Sequence, residues 1–228
     1  MIEASLWQRI WLRVLEITPQ LSKATYETIL MVIIALSIAA VIGIPLGVLL
    51  VITRPGHILE KKWFYKIANM LINMIRAIPF IILLFAIMPF TRMIVGTTIQ
   101  LKGAIVPLVV FTAPFIARVT ESALLEVNKG IIEAFLAMGA SPWQIITKVL
   151  LKETRPTMIL GMTISAISLI GASAMAGVVG GGGLGDLAIR YGYQRYEGDV
   201  MLLTLIVLII MVQGIQTVGN SIAKRLKK

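Results

Sequence analysis

The segment from Asn128 to Pro156 contains residues whose types and spacing indicate a specific task. Ile131 to Met138 is a run of good helix formers, and Gly139 follows where a left-handed residue would cap a helix. Residues 141–144 read Ser-Pro-Trp-Gln, which supplies an N-cap, a proline at the first helical position and a capping box. The segment is therefore predicted to form two short helices joined by a sharp bend at the glycine.

The first of these helices has an apolar side, although it lies in the most charged region of the chain. Four apolar residues recur there at helical spacing: Ile131, Ile132, Phe135 and Met138. An ordinary polar loop is the simplest interpretation, but an apolar stripe on a solvated helix is typical of a helix that lies in a partner's groove. The chemistry that these residues offer is the binding of another protein.

The composition places the chain among integral membrane proteins. It has 228 residues, of which 58% are hydrophobic, and a mean hydropathy of +0.92. The net charge of +10 would suggest nucleic-acid binding in a soluble protein. Here the basic residues lie between apolar stretches and at the C-terminus, so they favour a role in membrane topology and no nucleic acid is expected as a partner.

The residue types argue against catalysis and against ion-coupled transport. The chain has no cysteine, and its single histidine, His57, lies in a short basic loop, so no metal site is expected. No Gly-x-x-x-x-Gly-Lys-Ser/Thr sequence and no Ser/His/Asp set occurs. The acidic residues lie outside the apolar stretches or at their edges, whereas an ion-coupled transporter would be expected to carry carboxylates or broken-helix ion sites near the middle of the bilayer. The chain is therefore predicted to be no enzyme and to hold no cofactor, with its energy supplied by another protein.

The apolar stretches predict an all-α protein with one membrane domain, residues 1–228, and five transmembrane helices. The predicted spans cover residues 28–53, 67–89, 101–119, 157–180 and 200–223, with a connecting loop over residues 120–156. The larger share of Lys and Arg falls on the side of that loop and the C-terminus, so the positive-inside rule predicts a cytoplasmic C-terminus and an N-terminus outside. Five helices enclose little on their own, so a second copy of the chain is expected to complete a path.

Arg76 is a cation inside the second predicted span. A charged side chain there costs on the order of 3 kcal/mol unless it faces protein or water. We therefore expect Arg76 to point into the bundle or to reach the cytoplasmic interface. An anchor between helices is favoured over a direct contact with substrate.

The fourth predicted span is rich in small residues along one face. The residues on that face are Gly161, Ser165, Ser168, Ala172 and Met175. Small residues indicate either tight helix contact or the wall of a cavity. Met175 is the bulky, flexible member and is a candidate gate, with an ordinary core methionine as the alternative.

The run Gly180–Gly185 satisfies the pattern G-x-G-x-x-G of nucleotide-binding loops. No strand precedes it, and no βαβ unit can be built from transmembrane sequence, so a nucleotide site is not predicted. The run is expected to be a flexible turn outside the membrane that ends the fourth helix. The following residues, 186–199, are expected to form a polar, aromatic loop.

The connecting segment also resembles a known signature. Glu133-Ala134, Gly139 and Val149-Leu150-Leu151 resemble the permease signature of bacterial ABC importers, E-A-A-x-x-x-G followed after nine residues by I-x-L-P. The chain departs from it at Phe135, Val149 and Lys152. The likeness extends to the methionine branch of that family over residues 53–56, 78–84, 89–92, 94–97, 113–118 and 183–185.

This resemblance implies a type I ABC importer permease fold and a set of partners. The short helix would be a cytoplasmic coupling helix that docks on a separate ATPase. The implied contact residues are Ile131, Glu133, Ala134, Phe135, Met138, Gly139, Ala140 and Ser141. The implied assembly is a permease homodimer in a bacterial inner membrane with two ABC ATPase subunits, which bind ATP and Mg²⁺, and an extracytoplasmic methionine-binding protein or lipoprotein.

The transport path implied by the resemblance works by alternating access, and its candidate residues are Met175, Ser168, Ala172 and Arg76. Two alternatives remain open at this point. One is a permease for another amino acid or a small osmolyte, which the ligand of the partner binding protein would distinguish. The other is a self-contained channel, which would conduct alone, whereas a permease would be inert without its ATPase.

Overall fold

The computed structural model describes residues 6–227, with side chains from residue 13 onward. Within these residues the chain is mostly helical, with short loops between the helices, and contains no strand. The first half comprises α1 (Leu6–Thr53), α2 (Lys62–Ala77), α3 (Phe80–Ala86), α4 (Met88–Val95) and α5 (Gln100–Leu125). The second half comprises α6 (Lys129–Ala137), α7 (Pro142–Gln144), a π-helix (Ile145–Leu150), α8 (Leu151–Glu153), α9 (Arg155–Ala176), a short 3₁₀ turn (Gly177–Val179), α10 (Gly183–Leu187), a second π-helix (Ala188–Tyr193) and α11 (Gly198–Leu226).

Helix α1 is longer than the span predicted from the sequence. It has 48 residues and begins at Leu6, whereas the predicted span begins at residue 28. Its packing on α5 depends on two glycines that face that helix. A Cβ atom on Gly43 would lie 2.6 Å from the carbonyl oxygen of Ala113, and one on Gly47 would lie 2.5 Å from that of Ala117. The two backbones therefore approach closely because neither glycine carries a side chain.

The second predicted span is not one straight helix. The axes of α2 and α3 meet at 104°, and the break falls at Ile78 and Pro79. Proline lacks an amide hydrogen and forces the preceding residue out of the helical region, and Ile78 accordingly has ψ of 124°. The chain then continues through α4, which ends at Gly96 in a left-handed conformation with φ of 76°.

The number of membrane-crossing elements agrees with the sequence prediction when the broken helix is counted as a span. Within residues 6–227, four helices are long and apolar enough to cross a membrane: α1, α5, α9 and α11. The bent pair of α2 and α3 makes a fifth candidate.

The main core lies between α1, α3, α5 and α9. Met31, Leu108 and Leu169 are fully buried there, each from a different one of the long helices. Phe80 of α3 packs edge-on against Phe111 of α5 with ring centroids 5.2 Å apart. The short helix α3 is thus held against the bundle by an aromatic pair, which fixes the position of the break.

The glycine-rich run forms the predicted turn after α9, and hydrogen bonds attach this turn to α1. The amide of Gly183 donates to Glu27 Oε2 at 2.9 Å, and the amide of Leu184 donates to Thr28 Oγ1 at 2.9 Å. Gly180, Gly182 and Gly183 all have positive φ, and α10 is buried along its whole length. Side-chain acceptors on α1 satisfy the free amides at the start of α10, so the turn is fixed to the first helix.

The region predicted as a polar, aromatic loop is mostly helical. Residues 183–193 form α10 and the π-helix that follows it. Arg13 on α1 pairs with Glu197 at 2.5 Å and with Asp199 at 2.7 Å, next to the start of α11. These pairs connect the first and last long helices at the end of the bundle opposite the connecting segment.

Replacing Gly185 by alanine is expected to destabilise the fold. A Cβ atom there would collide with the backbone of Ala174 in α9, which cannot move aside as a side chain can. Overpacking of this kind costs about 1–3 kcal/mol, so the melting temperature should fall by several degrees. Gly171→Ala in α9 is the matched control, because a Cβ atom there meets no other atom within 4 Å. Equal melting temperatures for the two variants would show that the contact at Gly185 is unimportant.

Candidate docking site

The bend in the connecting segment is built by a complete C-terminal capping motif. Helix α6 begins at Asn128, whose side chain accepts from the amide of Gly130 at 2.8 Å. At its other end the amide of Ala140 donates to the carbonyl of Phe135, and that of Gly139 donates to Leu136, both at 3.0 Å. Gly139 has φ of 78°, as the sequence predicted. The chain therefore reverses sharply without leaving these carbonyl groups unpaired.

The second helix starts with the predicted capping box. Ser141 Oγ accepts from the amide of Gln144 at 3.3 Å, and Gln144 Oε1 accepts from the amide of Ser141 at 2.9 Å. Pro142 occupies the first turn, where its missing amide hydrogen has no cost. The helix then widens into a π-helix over Ile145–Leu150. Both halves of the bend are thus fixed by local hydrogen bonds.

The segment is anchored to the ends of α1 and α5 by a separate apolar cluster. Ile145 and Leu150 are almost completely buried in it, together with Val51 of α1 and Leu124 of α5. Ile132 contributes from α6 and is 8% exposed. Because these side chains belong to three parts of the chain, the bend is part of the same folded body as the membrane helices.

The opposite side of α6 is exposed. We define the docking patch as Ile131, Ala134 and Met138, which follow helical spacing on one side. Ile131 is 39% exposed and Met138 is 70% exposed. Exposed apolar side chains on a rigid, well-anchored helix favour a contact with another protein. The patch is small enough to insert into a groove.

A cavity of about 310 Å³ lies between the loop that follows α1 and a face of α6 that is distinct from the docking patch. His57 of that loop lines it together with Lys129, Glu133 and Leu136. The loop has internal support, since the amide of Gly56 donates to Glu60 Oε2 at 2.8 Å and Lys62 pairs with the same side chain at 3.3 Å. These two contacts hold the pKa of Glu60 below its usual range.

The contact residues implied by the resemblance therefore fall into two groups. Six are exposed: Ile131, Glu133, Ala134, Met138, Gly139 and Ser141. Phe135 and Ala140 are half-buried and pack on the chain's own apolar cluster. The predicted apolar stripe is split in the same way, because Ile132 points inward. The two inward residues, Phe135 and Ala140, position the bend, and the exposed residues are free to meet a partner.

The small residues of α9 do not share one exposed face. Gly161 packs directly on Val119 of α5, and Ser165 and Ala172 are buried within the chain. The sequence left open whether small residues here mark a tight helix contact or the wall of a cavity. These three residues lie in tight contacts within the chain. Ser168 is half-buried and Met175 is 50% exposed. Half of the Met175 side chain is therefore open on the single described chain, and its role as a gate stays a prediction.

Arg76 lies at the surface of the described chain near the end of α2. Its guanidinium is 5.9 Å from the centroid of the Phe115 ring on α5. This contact joins α2 and α5, and a role of Arg76 as an anchor between the helices stays a prediction.

Sequence reasoning missed a polar cluster between α2 and α5. Arg118 binds Glu121 at 2.5 Å and donates to the side-chain oxygens of Asn69 at 2.6 Å and Asn73 at 2.8 Å. Glu121 is 3% exposed, so its charge is compensated inside the protein. The available signal was a pair of asparagines four residues apart in an apolar helix, which indicates a polar contact between helices.

Acidification is expected to loosen the loop beside α6. The pKa of His57 is lowered from 6.5, mainly by burial and further by Arg54 and Lys129. The folded state disfavours the protonated form of His57. The packing of the His57 loop against α6 is therefore fully stable above about pH 6.5 and becomes less stable as the pH falls below that value. Hydrogen exchange of residues 54–61 should therefore show lower protection at about pH 5.5 than at about pH 7.5. His57→Gln should remove this difference, and an unchanged pH dependence in that variant would contradict the assignment.

The helices long enough to cross a membrane and the exposed, rigid connecting bend together define the membrane component of a transport system. Residues 43–228 match the binding-protein-dependent transport system inner membrane component family, and the chain belongs to that family. Membership agrees with the prediction that the chain is a permease subunit and not an enzyme.

Relatives cover most of the chain. It is 48% identical over 202 residues to the probable D-methionine transport system permease protein MetI of Vibrio cholerae, spanning 89% of this chain and 90% of that protein. It is 51% identical over 157 residues to the D-methionine transport system permease protein MetI of Escherichia coli, spanning 69% and 72% of the two chains. A solved structure of the MetNI methionine ABC transporter in an inward facing conformation superposes with a TM-score of 0.92 and 47% identity, over 93% of this chain and 99% of that one. This likeness confirms the predicted all-α permease fold.

Proposed function

We propose that this chain is the permease subunit of an ATP-driven ABC importer that moves methionine, of D or L configuration, across the plasma membrane by alternating access. The observation that carries the proposal is the rigid, doubly capped bend that presents the docking patch outside the membrane helices. The names of the relatives support methionine as the substrate.

The partners follow from the same site. Two copies of the chain would form the path, and each docking patch would bind one cytoplasmic ABC ATPase subunit that carries ATP and Mg²⁺. An extracytoplasmic binding protein would deliver methionine from the other side. The name of the MetNI transporter supports an assembly of this kind. The basic residues of the loops and of the C-terminus support a topology with the connecting segment in the cytoplasm and the N-terminus outside.

The substrate path would run along the exposed face of α9. Leu160, Ile164 and Met175 are exposed on this face, and Gly171 lies between them without a neighbour in the chain. A face of this kind needs a second copy to close a path. Met175 lies in the last turn of α9, before the 3₁₀ turn, and would act as a gate that narrows the outer end of the path.

Reconstitution in liposomes tests the proposal. The chain, its ATPase and its binding protein should together accumulate labelled methionine when ATP is supplied on the cytoplasmic side, and omission of any one protein should abolish uptake. Accumulation of another amino acid that methionine does not inhibit would favour a different substrate. Ion conductance by the purified chain alone would favour a channel and contradict the proposal.

A further inference from the structure

A deep apolar groove of about 630 Å³ lies on the outer surface of the bundle between α1, α9 and α11. Its walls come from residues 29–36 of α1, residues 159–166 of α9 and residues 211–222 of α11. Thr163 is the one hydroxyl side chain among the lining residues, and it donates to the carbonyl of Ile159 at 2.8 Å. The lining residues therefore offer an occupant no free side-chain hydrogen-bond donor.

The dimensions of the groove match one leaflet of a bilayer. Along α11 it extends from Met211 to Ile222, which corresponds to about 16 Å of helix rise. That length is close to half of the roughly 30 Å hydrocarbon core. A Cβ atom on Gly214 would meet no other atom within 4 Å, so the groove is open in its middle. An extended hydrocarbon chain fits this shape and polarity.

One end of the groove is basic. Arg155 lies one turn before Ile159 on α9, and Arg225 lies one turn beyond Ile222 on α11, so both continue the groove faces of their helices. Gly219 packs against Thr163, and because the two helices are antiparallel, both arginines extend past the groove at the same end.

Both arginines are exposed, and neither pairs with a carboxylate among residues 13–227. Other charges at this end of α8, α9 and α11 are Lys152, Lys224, Lys227 and Glu153, together with Glu126, which accepts from Thr157 at 3.1 Å. The basic residues outnumber the acidic ones, so the mouth of the groove attracts an anion.

We propose that this groove binds one anionic phospholipid, with an acyl chain between α1, α9 and α11 and the phosphate against Arg155 and Arg225. Charge complementarity favours this occupant over a zwitterionic lipid. It also disfavours a second copy of the chain, because a copy related by a twofold axis would bring its own arginines to the same place. With the topology given under Proposed function, the lipid belongs to the cytoplasmic leaflet.

Native mass spectrometry of the purified full-length chain tests the role of the charges, with phosphatidylglycerol and phosphatidylcholine of identical acyl chains as probes. Each basic residue near a membrane contributes about 1 kcal/mol, so Arg155→Gln with Arg225→Gln should lower the preference for phosphatidylglycerol by roughly 30-fold. Lys224→Gln is the matched control, because this residue is on the opposite side of α11 by helical register. Equal retention of the two lipids by the unaltered chain, or an equal loss in the Lys224 variant, would overturn the proposal.

A second variant tests the groove itself. Gly214→Leu should fill the groove without a backbone clash and should lower retention of both lipids. Ile210→Phe adds bulk at a position that is 64% exposed outside the groove and should leave retention unchanged. Unchanged retention in Gly214→Leu, or a disulfide bond between two copies carrying Gly214→Cys, would contradict the groove as the lipid site. Unaltered melting temperatures would confirm that the variants fold.

Discussion

Replacing Ile131 and Met138 by glutamate is expected to weaken the binding of this chain to its ATPase partner. The two side chains are the large apolar members of the docking patch, and both are exposed on the described chain. Burying a carboxylate in a partner's groove carries a large desolvation cost, and the loss of a central apolar contact costs about 2 kcal/mol or more. The affinity for the ATPase should therefore fall at least about thirtyfold. Binding of the detergent-solubilised chain to the immobilised ATPase measures this effect.

The matched control for this prediction is Leu226→Glu. Leu226 is 43% exposed at the end of α11, outside the docking patch. Its replacement by glutamate introduces a comparable change of polarity at the same end of the bundle. The control should bind the ATPase like the unaltered chain. If the double variant also binds normally, the patch is not the docking surface, and the proposed coupling through α6 fails while methionine transport itself stays open to test.

Gly139→Val is expected to uncouple ATP hydrolysis from transport. The backbone at this position has φ of 78°, and no other atom lies within 4 Å of an added Cβ atom, so the cost arises from backbone strain alone. That strain is about 1–2 kcal/mol for an ordinary residue and larger for a β-branched one. The chain can relieve it by opening the bend, which changes the direction of α6 relative to the membrane helices. Uptake in proteoliposomes should fall to near background, while the ATPase should still hydrolyse ATP.

Gly139→Asn gives this prediction a close control. Asparagine tolerates the left-handed conformation better than any β-branched residue, so the bend should persist and most of the uptake should be retained. Normal uptake together with normal stimulation of the ATPase in Gly139→Val would show that the bend is not required. Loss of uptake in both variants would show that the bend requires glycine itself and not only a residue that tolerates this conformation.

Local signals in the sequence were sufficient for the bend. Asn128, Gly139 and Ser141 act through backbone groups within a few residues of themselves, so residue type and spacing determine what they do. The number of spans was also predictable, because it depends on the length and polarity of stretches of the chain.

Contacts between distant parts of the chain were not predictable in the same way. The glycine run is attached to α1 because Glu27 and Thr28, more than 150 residues earlier, accept its amide hydrogens. Gly161 of α9 packs on Val119 of α5, and no pattern within α9 shows where that neighbour lies. The predicted second span contains Pro79, but the 104° angle between α2 and α3 depends on a contact with another helix, the pairing of Phe80 with Phe111 of α5.

Helix α1 links the connecting bend to the glycine turn at the opposite end of the protein, so a movement of the bend could be transmitted along it. At one end Glu27 and Thr28 receive the amides of the glycine turn, and at the other end Val51 and Ile52 belong to the cluster that holds the connecting bend. About 36 Å of continuous helix separates these attachments. A displacement of the bend would therefore be passed to the opposite end of the protein along a single helix, in which Pro45 is the one proline between the two attachments and no loop intervenes.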